Sequence, residues 1–219
     1  MDSGFAIVPG VFDSREVDAI LRELEGEALR RSRAGARHLI SVPVIAALAK
    51  DPRLISLAAE VLGSEPVPFG ATLFDKSSNA NWLVAWHQDR ALPLVERREA
   101  AGWGPWSQKD GVVYANAPAT ALAKVVALRV HLDDSTAENG PLRVLPGTHA
   151  LGVLSDAQID DAVRRIEPVM CTVERGGVIV MRPLTVHASS KVTAAASRRV
   201  LHVEYAAATF DEGPPLRVP

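Results

Sequence analysis

The sequence predicts a mainly β protein with flanking helices, a β-sandwich or jelly roll buttressed by N-terminal α-helices. Three observations carry this. Apolar residues recur at helical spacing in roughly the first 65 positions. From residue 66 onward short apolar runs alternate with Gly, Pro, Asn and Asp. Those runs have strand length and are separated by turn signals, the texture of a sheet sandwich rather than of alternating β-α units.

The elements follow in order. Residues 5–8 (FAIV) read as a strand closed by the Pro9-Gly10 turn. Asp13 is a helix N-cap with Glu16 three residues on, a capping box, and Val17, Ile20, Leu21 and Leu24 keep helical spacing, so a helix is expected to about residue 31. Residues 44–49 and 52–62 are two further helices, the second opening at Pro52 and stopping at Gly63. Strands are expected at 67–75, 82–87, 124–132, 142–145, 168–173, 177–181 and 198–207, with a helix at about 155–165 capped by Ser155 or Asp156. Residues 90–123 show little periodicity but contain Trp103, Gly104, Pro105 and Trp106, so they read as an ordered insertion over a functional site.

Composition narrows the classes. A net charge of −2 and a pI near 6.3 favour neither nucleic acid nor an anionic membrane. The single cysteine, Cys171, excludes an internal disulfide and sits in an apolar run, PVMCTV, as a core residue. No window approaches a membrane span or a secretory leader, so a cytoplasmic protein is the expectation. The chain of 219 residues suits a single domain, with 1–65 as helical buttress, 66–207 as β core and 90–123 as a lid. Oligomeric state is open.

Of six histidines, His87 lies in the most suggestive setting, Trp86-His87-Gln88-Asp89. Residues i and i+2 of extended chain point the same way, so His87 and Asp89 can converge on one ion. A third ligand must come from far along the chain, and His187, after the strand-like GGVIVMRP, is the best placed. Two imidazoles and a carboxylate form the facial triad of non-haem Fe(II) oxygenases, which leaves open positions on the metal. Arg198 follows His187 by eleven residues, and Ser189 by two. A planar guanidinium binds a carboxylate bidentately and a hydroxyl adds a further hydrogen bond, which suits 2-oxoglutarate as cosubstrate. Strand alternation allows only one of Arg198 and Arg199 to face inward.

The motifs WHQD (86–89), AENGPLRVLPGTHALG (137–152) and H-x-S followed by SRR (187–189 and 197–199) resemble those of the phytanoyl-CoA dioxygenase family of Fe(II)/2-oxoglutarate oxygenases. The resemblance covers roughly residues 70–207 and implies a double-stranded β-helix, the cupin-like jelly roll, as the core. It implies His87, Asp89 and His187 as iron ligands, Arg198 as partner of the distal carboxylate of 2-oxoglutarate, and Ser189 as its assistant. O2 is then the oxidant, with succinate and CO2 as co-products. Related halogenases lack the carboxylate ligand, so the presence of Asp89 implies hydroxylation.

Further residues carry weaker expectations. Lys76 and Asn81 precede the metal motif and would face the cofactor if strand 82–87 paired with strand 67–75; the competing reading is a solvated SSNAN hairpin. His202 shares the parity of Arg198 and so lines the pocket or orients a ligand. His131 reads as a core histidine and His149 as a structural one. Arg90, Trp103 and Trp106 are candidates for substrate contact. The substrate is expected to be a small, amino-acid-like or secondary-metabolite molecule. Two alternatives stay open: a cupin-type metal enzyme needing no cosubstrate, and a non-catalytic jelly-roll binding protein.

Overall fold

The computed structural model describes residues 1–29, 31–32 (backbone only), 35–76, 80–192, 197–211 and 213–218. The chain begins with β1 (Phe5–Val8), α1 (Ser14–Glu25), β2 (Arg31–Ser32), β3 (Gly35–Ala36), α2 (Pro43–Ala49) and α3 (Pro52–Leu62). It continues through β4 (Pro66–Lys76), β5 (Val84–His87), β6 (Ala91–Leu94), β7 (Trp106–Lys109), β8 (Val112–Asn116), α4 (Ala119–Leu122) and β9 (Val125–His131). The remainder is β10 (Leu142–Val144), α5 (Asp156–Arg165), β11 (Val169–Cys171), β12 (Val178–Met181), β13 (His187–Ser189) and β14 (Arg198–Ala207).

Two antiparallel sheets face each other. The larger runs β1-β12-β9-β14-β4-β3-β2 and the smaller β11-β10-β13-β5. This is the jelly-roll core. Its two-sidedness follows from strand alternation. On one face of the large sheet, Leu128 and Val130 of β9, Leu201, Val203 and Tyr205 of β14, and Val178 and Val180 of β12 are buried against Val17, Ile20, Ile45, Leu48 and Leu54 of the three N-terminal helices. The Tyr205 hydroxyl donates to the Ala49 carbonyl at 2.9 Å, tying β14 to α2. On the other face, Ile179 and Met181 meet Leu142, Val144 and Cys171 of the small sheet, sealing one end of the sandwich. Toward β14 and β4 that same inner face turns polar, and there the sandwich stays open as a cavity of about 550 Å³.

The helices form where sequence periodicity places them, with one difference. The Asp13–Glu16 capping box is present, but α1 stops at Glu25, capped by Gly26, rather than near residue 31. Residues 90–123 differ more. They form a separate antiparallel sheet, β6-β8-β7, followed by α4, with its own core of Leu92, Leu94, Trp103, Ala115 and Leu122. Periodicity missed it because β7 is polar (WSQK) and β6 carries Pro93, which belongs on an edge strand. A local signal did exist: Asp110-Gly111 joins β7 to β8 with both residues at positive φ (50° and 81°), the requirement of a tight hairpin turn. The pairing of residues 82–87 with 67–75 that would have turned Lys76 and Asn81 together to the cofactor does not occur: β4 lies in the large sheet beside β14, and β5 in the small sheet beside β13. Residues 77–79 of the expected SSNAN loop lie outside the described residues. No described helix is long and apolar enough to cross a membrane.

Leu128 is fully buried on the helix-facing side of the sheet, whereas Leu151 is 59% exposed. Leu128→Ala is expected to lower unfolding free energy by about 2–5 kcal/mol and Leu151→Ala by less than about 0.5 kcal/mol, read by chemical denaturation.

Candidate active site

The cavity is built from the inner faces of both sheets. β13 lies between β10 and β5, and its register sets His187 directly opposite His87. Asp89 lies just past the end of β5, where its N–H donates to the Pro183 carbonyl at 2.9 Å and keeps the chain on course. His87 Nε2 is 3.4 Å from Asp89 Oδ1 and His187 Nε2 is 3.4 Å from Asp89 Oδ2. The ligating atoms of the three residues all lie within 4.8 Å of one another.

The second nitrogen of each ring explains why Nε2 is free. His87 Nδ1 bonds the Ala85 carbonyl at 2.8 Å, and His187 Nδ1 bonds the Thr185 carbonyl at 2.9 Å. Both contacts require Nδ1–H, so both Nε2 lone pairs face Asp89. Burial pushes His187 down to about 4, keeping it neutral. Burial alone would raise Asp89, but the histidines beside it override that and hold the carboxylate well below its usual range. Burial pulls His87 down as well, but Asp89 outweighs it and holds His87 above its usual range. Two imidazoles and a carboxylate fit Fe(II), which would take the place of the proton shared between them.

Beside this cluster stand three cations. Arg198, on the inner face of β14, is 3% exposed; its Nε donates to the Asn139 carbonyl at 3.2 Å and its Nη2 to Ser189 Oγ at 3.4 Å. Lys76, opposite it on β4, is fully buried and donates to Ser189 Oγ at 2.7 Å and the Ser190 carbonyl at 2.6 Å. Arg129, on β9, is 7% exposed, has no partner for Nε, and reaches His202 Nδ1 from Nη1 at 3.3 Å. None of the three has an ion-pair partner among the described residues. Burial, with Arg198 and Arg129 nearby, pushes Lys76 down to about 7, and burial with Arg129 pushes Arg198 down to about 10. Arg199, one residue on, faces outward and pairs with Asp133 at 2.7 Å.

The other sequence-singled residues divide. Lys76, His202 and Arg90 line the cavity. Asn81 does not; its amide clasps the backbone N–H and carbonyl of Val192, just past β13. Trp103 is buried in the core of the inserted sheet and Trp106 packs on that core beneath Arg97, so neither reaches the cavity. Tyr114, Trp82 and Phe74 supply its aromatic lining instead. His131 is buried at the inner face, held neutral by burial and by Arg129, and His149 lies at a separate recess. Sequence reading passed over Gln88, Arg129 and Glu204. Gln88 had a signal, since it sits inside WHQD; it donates to the carbonyls of Gly152 and Leu184 and accepts from Leu154 N–H.

The model of the family described as phytanoyl-CoA dioxygenase matches residues 1–200. The chain belongs to the phytanoyl-CoA dioxygenase family. It is accordingly an Fe(II)- and 2-oxoglutarate-dependent oxygenase, with O2 as oxidant. Among curated relatives of this family member, an L-proline trans-4-hydroxylase of Streptomyces griseoviridis is 25% identical over 97% of the chain and 80% of the relative. An ectoine dioxygenase of Bordetella bronchiseptica is 26% identical over 67% of the chain, which spans 46% of that protein's length. Among solved structures, EctD from S. alaskensis aligns with a TM-score of 0.71 at 20% identity, covering 100% of this chain and 84% of the other. HygX from Streptomyces hygroscopicus, with nickel and 2-oxoglutarate bound, gives 0.68 at 20% identity, covering 96% and 85%.

Gln88 holds three backbone groups between His87 and Asp89. Gln88→Leu is expected to leave them unpaired, lowering stability by roughly 3 kcal/mol or more, and to weaken Fe(II) binding about 10–100-fold, read by anaerobic metal titration of the folded variant.

Proposed function

We propose that the enzyme hydroxylates an unactivated C–H bond of a small polar molecule, using His87, Asp89 and His187 as its iron ligands and Arg198, Ser189 and Lys76 as the anchor for the distal carboxylate of 2-oxoglutarate. The observation that carries this is the set of buried cations, without an ion-pair partner among the described residues, beside a His-Asp-His cluster. A buried cation without a counter-ion is costly, and a dicarboxylate cosubstrate supplies the missing charge. Iron bound at the cluster supplies oxygen activation coupled to the decarboxylation of 2-oxoglutarate to succinate and CO2.

The chain's own residues do the rest. The guanidinium of Arg198, braced by the Asn139 carbonyl, presents its fork to the far carboxylate. Ser189 already accepts from Lys76 and donates to the Gly140 carbonyl at 2.9 Å, so it keeps both partners aligned. Arg129, close enough to Asp89 and His202 to influence both, provides positive charge at the metal end. Phe74, Trp82 and Leu142 form apolar walls that exclude water. The sheet of residues 90–123 contributes Ala91, Lys109, Tyr114 and Asn116 to the cavity and roofs the substrate side of a single domain. Small substrates agree with the relatives, which are named for proline and ectoine.

Three outcomes test this reading. His87→Ala and Asp89→Ala are expected to abolish succinate formation from 2-oxoglutarate with Fe(II) and O2; wild-type turnover in either removes the assignment. Arg198→Ala is expected to raise the KM for 2-oxoglutarate by about 30-fold or more, the loss of roughly 2 kcal/mol from a charged hydrogen bond, while iron binding persists. An unchanged KM favours the cosubstrate-free cupin alternative. Because burial holds Lys76 near 7, its charge is lost as pH rises through neutrality, so the KM for 2-oxoglutarate is expected to increase from roughly pH 6 to 8 in wild type and to lose that increase in Lys76→Met.

A further inference from the structure

The cosubstrate residues occupy one half of the cavity. The inner face of β14 continues past them, from Arg198 through His202 to Glu204, a span of roughly 20 Å at strand rise. Glu204 lines both the main cavity and an adjoining recess of about 170 Å³, and Tyr114 is shared between the two in the same way. Its position is built. Glu204 pairs with Gly70 on β4, and a Cβ at Gly70 would lie 2.6 Å from Glu204 Oε2, so a side chain there would displace the carboxylate. The register also shifts between Glu204 and Tyr205, a bulge of the kind that re-aims a side chain.

Among the described residues the Glu204 carboxyl makes no hydrogen bond and no ion pair. Burial, with Asp89 adding to it, pushes its pKa up to about 8. Two cations share this half of the cavity, Arg37 after β3 and Lys109 at the end of β7. Lys109 Nζ lies 4.7 Å from the centroid of the Tyr114 ring. Neither cation forms an ion pair among the described residues, although Lys109 is close enough to Glu204 to influence it. His38 and Arg217 stand with Tyr114 on the recess side, and Asp110 is close enough to Tyr114 to influence it. A carboxyl that burial keeps protonated and two cations that share its cavity without pairing to it are complementary to a zwitterion, whose positive group would ionise the carboxyl and whose negative group would meet the cations.

We propose that this half of the cavity is the subsite for a small amino-acid zwitterion, with the substrate ammonium on Glu204 and its carboxylate between Lys109 and Arg37. The inference rests on the oxygenase reading above and specifies its substrate class. The ligand lies between these groups and the His-Asp-His cluster, so its aliphatic carbons face the metal. Glu204, Lys109 and Arg37 set specificity and take no part in oxygen chemistry.

The test uses the full chain loaded with Fe(II) and 2-oxoglutarate without oxygen. Binding of a panel of proteinogenic α-amino and imino acids is measured by calorimetry, and the tightest binder is compared with its des-amino acid and its carboxamide. The expected result is saturable binding at millimolar concentration or tighter, weakened at least 10-fold by removing either charge. Glu204→Gln, which keeps the side-chain shape, is expected to erase the advantage of the amine over the des-amino acid. Lys109→Met is expected to erase most of the advantage of the carboxylate over the amide. Both variants are expected to retain iron and 2-oxoglutarate binding. No binding across the panel, analogues that bind as well as the parent, or a Glu204→Gln variant with unchanged preference would each overturn the subsite. Loss of iron and 2-oxoglutarate binding by the wild type would instead overturn the oxygenase reading.

Discussion

Positive charge without a counter-ion is the constraint around which the cavity is arranged. Lys76, Arg129 and Arg198 stand on one face of a single sheet, each nearly or fully buried, with no carboxylate paired to them among the described residues. Withdrawing a cation from water costs several kcal/mol even after the protein relaxes. The strain shows in Lys76, whose pKa falls to about 7. Stability must come from the other side of the same strands. β14 alternates Arg198, His202 and Glu204 inward with Leu201, Val203 and Tyr205 outward, and the outward set packs on the helices. The N-terminal helices are therefore the counterweight that lets the inner face stay polar.

Register is the second condition. His187 meets His87 only because β13 pairs with β5 as it does, and sliding that pairing by one residue would turn one imidazole to the opposite face. The pairing is secured from both sides. Leu142 and Val144 of β10 sit opposite Ser189 and His187, and Gln88 binds the Leu184 carbonyl ahead of β13. Gly140, at positive φ and packed against the Ser190 carbonyl, allows the turn before β10 to lie close to the chain after β13. The NGPLRVLPGTH segment is thus a structural clamp as well as a family marker.

Much of this was legible in the sequence because it is local or periodic. The HxD spacing, the inward parity of Arg198 against Arg199, and the apolar strand runs are patterns of one or two residues. Other parts depend on contacts that no local pattern encodes. Arg129 lies inside the apolar run VVALRVHL and carries no mark of a cavity position; its partner His202 is on another strand. Glu204 shares the inward parity of Arg198 and His202, but the space its carboxylate occupies is legible only once Gly70 is known to lie beside it. Trp103 and Trp106 drew attention as aromatics in an irregular segment, yet the segment folds as a small sheet and uses Trp103 as its own core. Asn81 reads as a loop residue and acts as a clasp on Val192, across more than a hundred residues of chain.

The most direct test of this account is an anaerobic calorimetric titration of 2-oxoglutarate into the Fe(II)-loaded protein, repeated in buffers of different ionisation enthalpy at roughly pH 8. The account predicts one 2-oxoglutarate per chain, with net proton uptake as the arriving dianion restores the charge of Lys76. Absence of saturable binding, or binding with net proton release, would contradict it.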